Sequence, residues 1–103
     1  MQVQKITAAG FDGFIAGDTP TLIDFYADWC GPCRMLAPVI EQIAEETDDL
    51  KVGKVNVDEE MALAMRFGIS SIPFVALFQN GELKASSLGF VTADELKANL
   101  GLS

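Results

Sequence analysis

Apolar residues fall into short runs that polar and turn residues separate. The run over residues 21–27 is broken only by Asp24, and so little alternation is typical of a strand that is covered on both faces, as in a parallel sheet. Two later runs flank Asn80-Gly81, a dipeptide that indicates a tight hairpin between antiparallel strands. The predicted strands are residues 3–6, 21–27, 51–57, 74–79 and 83–88.

Other segments carry apolar residues every three or four positions, which is the spacing of amphipathic helices. Thr7 can cap the first helix, and Gly17 ends it. The second helix covers residues 33–47 and contains Pro38. This proline should kink the helix, because its ring removes a backbone donor and crowds the preceding turn.

The last two predicted helices complete an α/β order. The third covers residues 59–67, and we assign its cluster of Met61, Leu63 and Met65 to the core. The fourth opens at Thr92 with the sequence of a capping box. The resulting order is β-α-β-α-β-α-β-β-α. We expect the first three strands to be parallel, the last two to form a hairpin, and helices to cover both faces of the sheet.

Size and charge narrow the classes of protein to which the chain can belong. With 103 residues, half of them hydrophobic, it is expected to form a single domain over residues 1–103. A formal net charge of −8 argues against nucleic acid, because phosphates must be neutralised by clustered Lys and Arg. The apolar stretches are too short to span a bilayer, so no membrane partner is expected. The N-terminal residues lack the pattern of a secretory signal, which favours a cytoplasmic protein.

The chain contains no histidine, and this restricts the chemistry open to it. Cys–His nucleophile pairs, Ser–His–Asp triads and His-ligated metal sites are excluded. Proton transfer must therefore use carboxylates, thiols or water.

The only two cysteines lie in Trp29-Cys30-Gly31-Pro32-Cys33, where the apolar strand ends and the second helix begins. Residues three apart in the first turn of a helix share a face, so the two sulfurs can bond. Unpaired N–H groups and the positive end of the helix dipole favour a thiolate at Cys30. Pro32 is tolerated there, since its missing donor would have no helical partner. We predict a redox-active dithiol that is open enough to meet another protein.

Other uses of the cysteine pair compete with this prediction. A structural disulfide across so short a loop would restrict the unfolded chain by only about 2 kcal/mol. A zinc site needs four ligands, which one cysteine pair without histidine cannot supply in a single chain. Three alternatives stay open: two inert buried thiols, a binding or assembly module with an incidental dithiol, and a dimer that binds a metal or an iron–sulfur cluster through two cysteine pairs.

Two more residues stand out by their position in the pattern. A carboxylate in a strand covered on both faces is costly to ionise, so burial should raise the pKa of Asp24. The alternative is that Asp24 lies at the exposed end of the strand. Pro73 follows Ile72 at the entrance to a strand, where the general preference of X–Pro bonds favours a trans peptide.

Four segments of the chain carry a resemblance to a known family: Asp24-Phe25-Tyr26-Ala27-Asp28-Trp29-Cys30-Gly31-Pro32-Cys33, Ile72-Pro73, Gly81 and Gly89. With these residues the chain resembles the thioredoxin family, and the resemblance extends from end to end. It implies a thioredoxin fold, with a central five-stranded mixed β-sheet flanked by four α-helices. It also implies a thiol–disulfide oxidoreductase that reduces disulfides in substrate proteins.

The resemblance implies roles for four residues at the dithiol. Cys30 would attack the substrate disulfide, and Cys33 would then release the product. Asp24 would lie beneath the dithiol and pass a proton to or from Cys33. Lys54 would lie near Asp24 and help to set its charge; an ordinary surface lysine is the alternative.

The resemblance also implies a substrate-binding surface around the dithiol. The peptide before Pro73 would be cis, and the backbone of Ile72 would pair with an extended substrate. Trp29 and Phe90 could belong to an apolar patch or be half-buried core residues. Phe74 stands where threonine is frequent in the family and enlarges an apolar side chain next to the expected groove. The residues expected to bind substrates are Trp29, Gly31, Pro32, Ile72, Pro73 and Gly89.

The protein itself is expected to need no cofactor or metal. Its partners would be disulfide-containing substrate proteins and an NADPH-dependent thioredoxin reductase that restores the dithiol. It is expected to act as a monomer.

Overall fold

The computed structural model describes residues 2–102. Strands and helices follow one another in the order predicted from the sequence. None of the helices in residues 2–102 is long and apolar enough to cross a membrane. The elements are β1 (Gln4–Lys5), α1 (Ala8–Ile15), β2 (Thr21–Tyr26), α2 (Gly31–Glu46), β3 (Lys51–Asn56), α3 (Met61–Arg66), β4 (Phe74–Gln79), β5 (Glu82–Leu88) and α4 (Ala93–Leu100).

The five strands form one mixed sheet in the order β1-β3-β2-β4-β5. Strands β1 and β2 run parallel to β3, whereas β4 runs antiparallel to both β2 and β5. The predicted α/β fold, a five-stranded mixed sheet with four helices, is therefore confirmed. One boundary matters for the chemistry: α2 begins at Gly31, earlier than the predicted start at Cys33.

Strand β2 lies in the centre of the sheet with both faces covered, which explains its continuous apolar run. Leu22 packs with Leu36 of α2 in a core cluster on one face. Ile23 packs with Phe11 of α1 in a second cluster on the other face. Because side chains alternate along a strand, Asp24 points to the same face as Leu22. Its position in the central strand places a carboxylate inside the fold.

Of the two side-chain caps predicted at helix starts, the one at Thr92 forms and the one at Thr7 does not. At the start of α4, Thr92 Oγ1 accepts from the Glu95 amide at 3.2 Å and the Thr92 amide donates to Glu95 Oε1 at 3.0 Å, so the capping box is confirmed. Thr7 does occupy the N-cap position of α1, but its side chain makes no capping bond. Instead, the Ala8 amide donates to Glu60 Oε1 at 2.8 Å. The carboxylate of Glu60, which is distant in the chain, therefore accepts a hydrogen bond at this helix start in place of the Thr7 side chain.

The assignment of Met61 and Met65 to the core is wrong. Leu63 is 5% exposed, whereas Met61 and Met65 are 65% and 79% exposed. Residues two apart cannot share one face of a helix, because a turn takes about 3.6 residues. Helix α3 therefore buries Leu63 and presents the two methionines to the surface.

At Gly53, the backbone of β3 packs closely against the side chains of Ile6 and Phe14. A Cβ atom at this position would lie 2.8 Å from Ile6 Cγ1 and 2.8 Å from Phe14 Cε2. Glycine is required here by the close approach of two packed side chains.

We expect Gly53→Ala to lower the free energy of unfolding by about 1–3 kcal/mol, because the added methyl group must displace packed side chains. Gly13→Ala in α1 is the matched control, since nothing lies within 4 Å of the added carbon. Alanine is the better helix former, so the control should raise stability by up to about 1 kcal/mol. Urea unfolding measures both. Equal stability of Gly53→Ala and the natural protein would contradict the packing argument.

Candidate active site

Cys30 is the N-cap residue of α2, directly after the loop that leaves β2. Its amide donates to the Ala27 carbonyl oxygen at 3.2 Å, and its own carbonyl accepts from the Arg34 amide at 3.1 Å. Its Sγ accepts from the Cys33 amide at 3.2 Å. The sulfur thus occupies the place that a serine or aspartate oxygen takes at many helix starts. Cys30 and Cys33 form a disulfide, with their Cα atoms 5.2 Å apart.

The start of α2 provides the electrostatic environment that the sequence predicted. The Cys33 N–H group is directed at Cys30 Sγ, and the positive end of the helix dipole lies at the same point. A negative charge on this sulfur after reduction is stabilised by both. Pro32 falls in the first turn, where its missing N–H group leaves no helical bond unmade.

The dithiol is less open than we expected from the sequence. Cys30 is 4% exposed and Cys33 is 3% exposed. Val57 and Ile72 pack against the pair, and both come from segments distant in the chain. Trp29, by contrast, is 70% exposed. Contacts that form only in the folded chain therefore shield the two sulfurs, whereas Trp29, the residue before Cys30, stays on the surface.

Asp24 is buried and shares a cavity with Cys33. The residue is 4% exposed, and its Oδ1 has no hydrogen-bond partner among residues 2–102. Burial raises the pKa of Asp24 to about 7, and the positive charge of Lys54 opposes this rise. The cavity, of about 160 Å³, is lined by Asp24, Cys33 and Lys54 among others. Its size and polar groups suit water, which would connect the carboxylate to the Cys33 sulfur.

Lys54 lies beside Asp24, as the resemblance implied. The two residues are register partners in the parallel pairing of β2 with β3. The Lys54 ammonium group also lies 5.7 Å from the centre of the Tyr26 ring. An ammonium group near an aromatic face is stabilised by the ring quadrupole. Lys54 therefore favours the ionised carboxylate, whereas burial favours the protonated one.

The Ile72–Pro73 peptide is cis, as the resemblance implied and against the general preference of X–Pro bonds. The Ile72 carbonyl oxygen lies 3.9 Å from Cys30 Sγ. Pro73 is buried, and its carbonyl oxygen accepts from the Gly89 amide at 2.8 Å. The fold thus brings Ile72, Pro73 and Gly89 together beside the dithiol.

A chain of hydrogen bonds holds Trp29 on the surface. Its Nε1 donates to Asp58 Oδ2 at 2.8 Å. The amides of Asp58 and Glu59 in turn donate to the buried Asn56 Oδ1 at 2.9 and 3.3 Å. The sequence analysis missed Asn56 and Asp58. An asparagine at the end of a strand is a signal for such a side-chain turn and could have pointed to this segment.

A groove of about 280 Å³ lies between Trp29 and helix α3. Among the residues predicted to bind substrates, Trp29 and Ile72 line this groove. Phe74 is not among the residues that line this groove; it is partly buried and packs against the core, with its ring centre 6.2 Å from that of Phe25. The residues that line the groove are Trp29, Val57, Asp58, Met61, Ala64, Met65, Ile69, Ser70 and Ile72.

Comparison with known proteins gives one consistent family. The family model described as Thioredoxin matches residues 2–101. The chain is 46% identical over 96 residues to the thioredoxin of Alicyclobacillus acidocaldarius, an alignment that covers 92% of this chain and 91% of the relative. It is 42% identical over 102 residues to the thioredoxin of Porphyra purpurea, covering 97% and 95%. The solved thioredoxin structure from Malassezia sympodialis matches with a TM-score of 0.88 at 36% identity, covering 94% of this chain and 86% of that one.

We expect Asp24→Asn to stabilise the disulfide form in a pH-dependent way. The pKa of Asp24 is about 7 in the folded protein against 3.8 without burial, so between these values the folded state keeps a proton that the unfolded state releases. Stability of the natural protein is therefore lost as the pH rises through this window, by an amount on the order of 4 kcal/mol. Asparagine does not ionise and avoids this loss.

Urea unfolding of the two disulfide forms at a series of pH values measures the effect. The stability difference should be smallest near pH 4, grow towards pH 7 and then level off, as the pKa of Asp24 requires. A difference that stays constant over this range would show that the carboxyl does not titrate as its burial demands.

Proposed function

The chain belongs to the thioredoxin family, and from that premise we propose how Cys30, Cys33 and Asp24 carry out its reaction. The protein is a thiol–disulfide oxidoreductase that acts on disulfide-containing proteins and is restored by a reductase. The position of Cys30 Sγ carries the proposal. This sulfur accepts a hydrogen bond from the Cys33 amide at 3.2 Å and lies 3.9 Å from the Ile72 carbonyl oxygen. This sulfur has a stabilised thiolate form, a partner cysteine one helical turn away and the partly buried backbone of Ile72 beside it.

In the first step, the Cys30 thiolate attacks one sulfur of a substrate disulfide. A bond forms between Cys30 Sγ and that sulfur, and the bond within the substrate breaks. The second substrate sulfur leaves as a thiolate and takes up a proton from water. The Cys33 N–H group and the start of α2 support this step, because they favour the thiolate of Cys30 over its thiol.

In the second step, Cys33 attacks Cys30 Sγ in the mixed disulfide. The Cys33 thiol first gives its proton to Asp24 through water in the shared cavity. The bond between Cys30 and the substrate breaks, the Cys30–Cys33 disulfide forms, and the second reduced substrate sulfur leaves. Two electrons have then passed from the dithiol to the substrate. A carboxylate with a pKa of about 7 suits this proton transfer at neutral pH.

The backbone beside Cys30 suits an extended substrate. Ile72 is only partly buried, and its carbonyl oxygen faces the reactive sulfur. A substrate segment that pairs with this backbone, as a strand is added to a sheet edge, would place its disulfide against Cys30. Such pairing also accounts for reaction at a shielded sulfur, since the substrate is held against the segment that lies beside it.

We further propose a cytoplasmic monomer that an NADPH-dependent flavoprotein reductase restores. A dithiol that acts as a reductant requires a reducing compartment, which supports the location. The edge strand β5 carries Glu82 and Lys84, and charges on an edge strand oppose pairing between copies. The net charge of −8 suits a basic docking surface on the protein partners.

A binding or assembly module with an incidental dithiol is not favoured. The buried carboxyl of Asp24 in the cavity next to Cys33 lowers stability at neutral pH and would serve no purpose in a scaffold. Reduction of insulin with dithiothreitol as electron donor separates the two functions. The oxidoreductase accelerates this reaction, whereas a module with an incidental dithiol does not.

The Cys33→Ser variant should accumulate mixed disulfides between Cys30 and substrate proteins, because the second step has lost its attacking sulfur. The Cys30→Ser variant is the matched control, since it keeps a thiol but lacks the nucleophile at the helix start. Non-reducing electrophoresis and mass spectrometry after incubation with insulin measure the trapped species. Equal trapping by both variants, or none by Cys33→Ser, would refute the assigned roles.

The Asp24→Asn variant should slow the second step near neutral pH by roughly 100-fold, which is a usual contribution of general-base catalysis. The loss should narrow towards pH 9, because a rising pH removes the proton of the attacking thiol without help from Asp24. Rapid mixing in single turnovers separates the two steps, and the unchanged first step serves as the internal control. Identical rates of the second step from about pH 6 to pH 9 would remove Asp24 from the mechanism.

A further inference from the structure

Two exposed methionines line the groove beside the dithiol. Met61 and Met65 lie four residues apart on one side of α3, and both line the groove together with Trp29 and Ile72. The Ile72 carbonyl oxygen lies 3.9 Å from Cys30 Sγ, so the groove is continuous with the surface at which a substrate disulfide reacts. The two thioethers therefore lie within reach of residues that neighbour a disulfide held at Cys30.

The chemistry of the groove indicates what occupies it. Leu63 anchors α3 in the core, so the two methionine side chains are not needed for packing and lie exposed on the surface. Methionine side chains are flexible and polarizable, and they adapt to apolar partners of different shapes. The occupant is therefore a substrate segment with bulky apolar residues next to its half-cystine.

We propose that Met61 and Met65 are a peroxide-sensitive modification site that sets how tightly substrate proteins dock. Each thioether takes one oxygen atom from hydrogen peroxide. A sulfur–oxygen bond forms, the oxygen–oxygen bond of the peroxide breaks, the sulfur is oxidised by two electrons and water is released. The inference rests on the proposed function, because it concerns docking at the same dithiol.

Exposure directs the oxidant to the methionines when the dithiol is in its disulfide form. Cys30 and Cys33 are 4% and 3% exposed and carry no free thiol in that form. Met61 and Met65 are 65% and 79% exposed. Oxidation of these sulfurs does not disturb the core, since neither side chain is packed inside it.

A sulfoxide changes the groove from apolar to polar. An apolar substrate residue that covers it must desolvate the sulfoxide oxygen without offering a hydrogen bond in return. Docking of proteins with apolar flanking residues becomes weaker, whereas the electronic environment of Cys30 at the start of α2 is unchanged. The expected signature is a higher KM with little change in kcat.

The test treats the disulfide form with hydrogen peroxide, removes the oxidant with catalase and then assays reduction. Peptide mass spectrometry counts the added oxygen atoms, about 16 Da for each sulfoxide. We expect the KM for insulin to rise roughly 3- to 10-fold. The rate with 5,5′-dithiobis(2-nitrobenzoate), a small disulfide without flanking residues, should stay within about 1.5-fold.

Two variants control the experiment. The double variant Met61→Leu/Met65→Leu removes both oxidisable sulfurs and keeps a similar apolar volume, so peroxide should not change its own KM for insulin. Met35 is 59% exposed on α2 and is not among the residues that line the groove. Peroxide should therefore raise the KM of Met35→Leu as it does for the natural protein.

An unchanged KM for insulin after both sulfoxides have formed would overturn the inference. An equal rise in Met61→Leu/Met65→Leu would overturn it as well. Either result leaves the dithiol mechanism intact. Failure of the proposed function is distinguishable, because the untreated protein would then reduce neither insulin nor the small disulfide.

Discussion

One hydrogen bond, from the Cys33 amide to the Cys30 sulfur, underlies the reactive site of this protein. It forms because β2 ends and α2 begins around this pair, so that a sulfur caps the first turn of the helix. The helix is anchored on the sheet by Leu36, Ile40 and Ile43, which keep its start fixed relative to the end of β2. The unpaired N–H groups of a helix start thereby stabilise a thiolate in a protein that has no histidine.

Asp24 shows that the site carries a stability cost. Burial in the central strand raises the pKa of this carboxyl to about 7, and Lys54 opposes only part of that rise. An apolar residue in the same place would pack without this cost. In the proposed mechanism, the gain is a proton acceptor near neutral pH, in a cavity that Asp24 shares with Cys33 and that suits water. Stability and chemistry therefore make opposite demands on one side chain.

Features that depend on residues close together in the chain could be predicted from the sequence. The hairpin at Asn80-Gly81 forms with both residues at positive φ, the capping box at Thr92 is present, and the two cysteines meet at a helix start. The order of strands and helices followed from apolar spacing in the same way. Even the burial of Asp24 was visible, because the run of apolar neighbours marked a strand covered on both sides.

Features that depend on distant segments were decided only by the tertiary structure. Trp29 bonds to a residue 29 positions away, and Cys30 faces a carbonyl 42 positions away. The same kind of contact shields the cysteines and forms the groove that Met61 and Met65 line. Spacing along a chain sets which side of a helix or strand a residue occupies. Which other segment covers that side is settled only when the helices close over the sheet.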